Sequence, residues 1–76
     1  MIIKLIWDIK GADAEQTAKH HEIHLKEFAE RENMNSQIGI EVQNEMHTIV
    51  FMTVDKSVVY QVRDALKPHR AEIVEE

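Results

Sequence analysis

Seventy-six residues with nine Lys+Arg against fourteen Asp+Glu, and no cysteine at all, rule out a good deal before any motif is sought. The net charge of −5 argues against nucleic acid, which demands a basic footprint, and equally against an anionic membrane surface. Without cysteine there is neither a disulfide nor a thiolate metal ligand to reinforce a core that, at this size, buries only about 60–65% of the unfolded chain's surface.

The remaining totals place the chain as one domain over residues 1–76, soluble and cytoplasmic. No apolar run approaches the ~20 residues of a membrane span. The opening MIIKLIWDIK lacks the basic region and small-residue cleavage site of a signal peptide. Protonation of all five histidines would bring the net charge close to zero, so mild acid should alter association or solubility.

Taken in order, Ile2 to Asp8 is β-branched and aromatic, with Ile3, Leu5 and Trp7 on one face and Ile2, Lys4 and Ile6 on the other. Both faces are largely apolar, the mark of an interior strand. Lys10-Gly11 breaks the pattern. Asp13, with Gln16 in capping-box spacing, opens a helix whose pattern runs on to about Asn35. At about 100° per residue, Ala14, Ala18, Leu25 and Ala29 fall on one stripe, with His21 and Phe28 at its edge. Asn33 to Ser36 supplies the stop, since asparagine tolerates the left-handed conformation that ends helices.

Gln37 to Gln43 alternates, with Ile38, Ile40 and Val42 on one side and Gly39 and Glu41 on the other. Asn44-Glu45 joins it to a second apolar strand, His47 to Val54, in a hairpin. Asp55 then caps a shorter helix in which Val58, Val59, Val62, Ala65 and Leu66 repeat at helical spacing until Pro68. Ala71 to Val74 is a short last strand.

The order β-α-β-β-α-β predicts an α+β, ferredoxin-like fold: a four-stranded antiparallel sheet with two helices on one face. Right-handed crossovers leave the other face open. The apolar distribution agrees, because the first and third strands, central in that topology, are the ones apolar on both sides. With Ile3, Leu5, Trp7, Ile38, Ile40, Val42, Val50, Met52 and Val54 under the helices, Ile2, Ile6, Ile49 and Phe51 fall on the open face. Val74 joins them, with Lys4, Glu41 and His47 at the border. Such a cluster predicts an interface, most simply a homodimer in which the face meets its own copy.

In element order and in the two-sided apolarity of its central strands the chain resembles the dimeric α+β barrel superfamily, whose ferredoxin-like units pair sheet to sheet. The resemblance spans the chain at fold level and carries no family-specific motif. It therefore implies a fold and a mode of pairing but no reaction, since the superfamily holds monooxygenases, isomerases and proteins without known activity. Amino-acid-sensing domains share the element order, but their ligand-loop motif is missing. The Cys-x-x-Cys of metal-chaperone versions is absent, as are the stacking aromatics of RNA-binding ones.

Three histidines on the first helix pose two further questions. His20 and His24 stack at i, i+4 with Glu27 three residues on, a spacing suited to a divalent cation such as Zn²⁺ or Ni²⁺. HHEIH misses the HExxH protease motif, because His21 stands where its glutamate belongs. The ordinary alternative is a solvated face with Glu27 paired to Arg31.

His21 instead points at the sheet. The simple reading is a half-buried ring with a backbone or water partner. The sharper one is a small-molecule pocket of Trp7, His21 and Phe28 in which His21 is the candidate acid or base. The chain offers no convincing nucleophile, oxyanion hole or paired carboxylate to go with it, and no cofactor. His47, at a strand start, and His69, after Pro68, read as exposed and unpaired. The leading expectation is thus a non-enzymatic, homodimeric interaction or regulatory module, ahead of the pocket and the metal site.

Overall fold

In the computed structural model, which describes residues 1–74, β1 (Ile2–Lys10) is followed by α1 (Ala14–Arg31), β2 (Ile38–Asn44), β3 (His47–Asp55), α2 (Val59–Leu66) and β4 (Arg70–Val74). The four strands form one antiparallel sheet in the order β2-β3-β1-β4, so the expected ferredoxin-like α+β topology is the one observed. The two-sided apolar strands are the central ones because each must pack a helix layer on one face and long neighbouring side chains on the other.

Register fixes the faces. Ile3↔Val54, Leu5↔Met52 and Trp7↔Val50 lie beneath the helices, and Ile38 and Ile40 continue that side opposite Met52 and Val50. Leu5, Trp7, Val50, Met52, Val54, Leu25 and Val62 are buried there, with Ala18 and Ala29 letting α1 approach the sheet closely. Val42, on the same side, is left exposed near the hairpin end. The stripe of α1 expected from its spacing is the buried one: Ala14, Ala18, Leu25 and Ala29.

Element ends differ from the sequence pattern in instructive ways. β1 runs on to Lys10 because β3 keeps pairing as far as Lys10↔His47. Asp13 makes no side-chain capping bond, so the capping box is not formed; Ala14 N–H donates to Gly11 C=O across the turn instead. Gly11 has φ 122°, a conformation that needs glycine. Asn33 takes φ 56° as α1 ends, the left-handed stop expected of it. Asp55 accepts from Ser57 N–H and opens a 3₁₀ turn, Lys56–Val58, ahead of α2. Lys67, at φ 48°, closes α2 just before Pro68. Among the described residues no helix is long and apolar enough to cross a membrane.

Candidate functional site

The open face carries Ile2, Ile6, Ile49, Phe51 and Val74 as one band, with Ile6 opposite Phe51 and Ile2 opposite Val74. The sequence left these side chains to solvent. In the folded chain Ile6 is only 2% and Ile49 8% exposed, while Phe51 and Ile2 are half-buried. The cause lies in long polar neighbours. Gly39 stands opposite Phe51, and a Cβ there would lie 3.0 Å from Phe51 Cζ, so the missing side chain is what lets the ring settle onto β2. Lys4 Nζ sits 4.7 Å from the centre of the same ring and also pairs with Glu41 at 3.7 Å.

The polar centre of this face is Asp8. Its carboxylate accepts from Arg70 Nε at 3.0 Å and from a second guanidinium nitrogen at 3.2 Å, a forked pair. It also accepts from His47 Nε2 at 2.9 Å. Arg70 hydrogen bonding, assisted by His47, holds the Asp8 carboxyl below the ordinary aspartate value against the opposing effect of burial. Arg70 reaches Glu72 as well, at 3.4 Å. His47 and His69, expected to be unpaired, both have partners, since the Asp8 backbone N–H donates to His69 Nδ1 at 2.9 Å. No hydroxyl or thiol is hydrogen-bonded to His47 among the described residues, so the Asp8–His47 pair lacks the nucleophile of a catalytic triad.

On α1 the histidines separate as helical phase requires. His20 and His24 share an Nε2–Nε2 hydrogen bond of 3.1 Å, their rings edge to face at 4.7 Å. Glu27 approaches His24 from the other side, 3.7 Å from Nδ1. The two imidazoles are therefore brought together, while the carboxylate is aimed at the ring nitrogen turned away from His20. Among the described residues no three of His, Cys, Asp or Glu converge as a metal-binding group. Arg31 pairs with Glu32 and lies over the Phe28 ring, not with Glu27.

His21 meets Trp7 edge to face at 5.1 Å, as its phase implied. Trp7 itself is anchored by Nε1–H donating to the Leu66 carbonyl at 3.1 Å. Phe28 packs partly buried against the core. His21 Nε2 is buried without a hydrogen-bond partner. Burial first, then the neighbouring charges of His24 and His69, hold the imidazole below its ordinary pKa and so in the neutral form.

The feature that periodicity did not single out lies at the far edge of the sheet. All five residues of β4 are exposed, and α2 is only eight residues long. Between them runs a groove of about 560 Å³, floored by Ile3 and Leu5 and walled by Tyr60 and Ile73. Tyr60 is 67%, Met1 66% and Ile73 62% exposed, so the large apolar side chains in water gather here more than at the centre of the open face. Lys56 and Arg63 line the same groove, with no carboxylate among its described lining residues. The signal available in the sequence was the shortness of the second helix beside an apolar Ile73-Val74. Compared with known proteins, the chain matches no family model, and no curated protein or solved structure matches it significantly.

Proposed function

We propose that this protein acts by associating with a second copy of itself, as a small interaction module and not as a catalyst. The observation that carries this reading is the gathering of exposed apolar side chains (Met1, Tyr60, Ile73 and Val74) around β4, whose outer edge pairs with no strand among the described residues. An edge strand of this kind is a template for another chain. A protein of this size gains stability from covering it. The open face contributes its β4 margin, where Ile2 lies beside Val74. Its centre has less left to bury, because Ile6 and Ile49 are covered within one chain and Lys4 lies over Phe51. The partner is a like chain, and no substrate or cofactor enters this reading.

Sedimentation velocity over roughly 10 µM to 1 mM, a range that brackets weak association, tests it. The expected result is a monomer–dimer equilibrium that Ile73→Asp abolishes and Phe51→Asp leaves in place. Loss of the dimer with Phe51→Asp instead would assign the contact to the centre of the face, the sheet-to-sheet pairing of dimeric α+β barrels. A monomer throughout the range removes the reading.

A further inference from the structure

The backbone of β4 states which of its groups are free. Asp8 N–H donates to His69, and Ile6 C=O accepts from His69 N–H, so the even-numbered residues of β1 turn their backbone groups toward β4. The register Ile2↔Val74, Lys4↔Glu72 and Ile6↔Arg70 makes the even-numbered residues of β4 their partners. Alternation therefore directs N–H and C=O of Ala71 and Ile73 outward, along the open edge. Those two side chains line the groove on the helix side. Arg70, Glu72 and Val74, opposite Ile6, Lys4 and Ile2, belong to the other side.

A second copy brings to this edge the same short strand, RAEIV. Antiparallel pairing of two such strands, with like faces kept together, can centre its two-fold axis on Ala71, Glu72 or Ile73. Centring on Glu72 sets that carboxylate directly against its own copy, which is unfavourable. Within Arg70–Val74, centring on Ile73 sets Glu72 against Val74 and pairs no charges. Centring on Ala71 sets Arg70 against Glu72 of the second copy, twice, with the smallest side chain of the strand at the axis.

Resting on the association reading, we propose that two copies pair β4 with β4 antiparallel about Ala71, giving one continuous eight-stranded sheet with all four helices on the same side. The outward N–H and C=O of Ala71 and the outward N–H of Ile73 are satisfied by the other copy, while the His69 N–H stays on Ile6 C=O of its own chain. Ile73 then passes His69 of the second copy at the mouth of the groove, and apolar surface beside Tyr60 is withdrawn from water. The interface is isologous and closes on itself, so it stops at two copies.

The chain has no cysteine, so single-cysteine variants report the register directly. Residues directly opposite in a hydrogen-bonded pair have Cα atoms about 5.5 Å apart, inside the ~4.4–6.8 Å span a disulfide accepts. With oxidised glutathione as oxidant, Ala71→Cys is expected to form a covalent dimer well ahead of Glu72→Cys and Phe51→Cys. Faster crosslinking of Glu72→Cys overturns the register, and faster crosslinking of Phe51→Cys overturns the edge pairing. If Ala71→Cys resists oxidation while sedimentation still shows a dimer, the pairing fails but the association reading stands; a monomer in sedimentation removes both. As a second variant, Ala71→Pro deletes only an outward N–H, which an edge strand tolerates. It should keep the monomer's melting temperature and lose the dimer, and a dimer that survives it overturns the proposal.

Discussion

Replacing His21 by leucine should stabilise the protein, and by more in mild acid than at neutral pH. The Nε2 atom is buried without a partner, beside Trp7. An unmade buried hydrogen bond costs about 1–3 kcal/mol, and the half-buried ring argues for the lower end, ~1 kcal/mol. Leucine fills a comparable space among apolar neighbours and removes that cost. The pH dependence follows from the depressed pKa, whose first cause is burial. A histidine held neutral in the folded state favours the unfolded chain once the unfolded imidazole protonates. Its destabilising effect is small above the unfolded pKa of about 6.5 and grows as pH falls from there toward the folded value. With that reference pKa, protonation stabilises the unfolded chain by less than ~0.1 kcal/mol at pH 7.5 and by at most about 1.4 kcal/mol at pH 5.5. The advantage of His21→Leu should therefore rise from about 1 toward 2 kcal/mol between those pH values, with ~4–8 °C in melting temperature for each kcal/mol. Urea titrations followed by the fluorescence of Trp7, the sole tryptophan, measure both quantities. The difference between wild type and variant cancels the groups that do not couple to His21, leaving the ring itself and its interaction with His24 and His69. A variant less stable than wild type at pH 7.5, or an advantage that does not grow on acidification, would refute the account of this ring.

Asp8→Asn should cost about 1 kcal/mol at neutral pH, since it weakens the hydrogen bonds that Asp8 accepts from Arg70 and His47 on a partly exposed face. Because the folded pKa of Asp8 is lowered, its contribution is complete above the unfolded value of about 3.9 and disappears as pH falls through the folded one; the stability difference between wild type and variant in urea melts should therefore shrink as pH falls below the unfolded value. Gly39→Ala should destabilise the wild type by about 0.5–1 kcal/mol, because the new methyl meets Phe51 at 3.0 Å and displaces the ring from β2. In a Phe51→Ala background the same change should stabilise by about 0.5–1 kcal/mol, the ordinary cost of a strand glycine, and a thermodynamic cycle of the four proteins shows whether the sign reverses. His24→Ala should change stability by no more than about 0.5 kcal/mol, as its partners His20 and Glu27 sit on an exposed helix face.

Much of the fold was legible because the physics that selects it is local and periodic. Two-sided apolarity identified β1 and β3 as central, and 3.6-residue spacing gave the buried stripe of α1 residue by residue. Asn33 marked its own stop through the one backbone conformation it tolerates better than most. The same logic separated His21, against Trp7, from His20 and His24 on the outer shoulder. What periodicity could not convey was how far side chains reach across a face. Alternation assigns Ile6 and Ile49 to the open side correctly, yet their cover depends on residues from other strands, and that depends on register. For the same reason His47 and His69 looked solitary: their shared partner, Asp8, lies 39 and 61 residues away in the chain. The groove behind β4 arises from an absence, a second helix too short to cover Ile73, and a missing contact leaves no repeat in a sequence.

The outer edge of β4 is either paired or open in solution, and amide hydrogen exchange of the unmodified protein reads that edge directly. The N–H groups of Ala71 and Ile73 point outward, whereas that of Glu72 points toward β1, so the three serve as probe and internal control. Edge pairing predicts that exchange at Ala71 and Ile73 slows as protein concentration rises through the dimerisation range, while Glu72 stays protected throughout. Exchange at Ala71 and Ile73 that is fast and independent of concentration would contradict it.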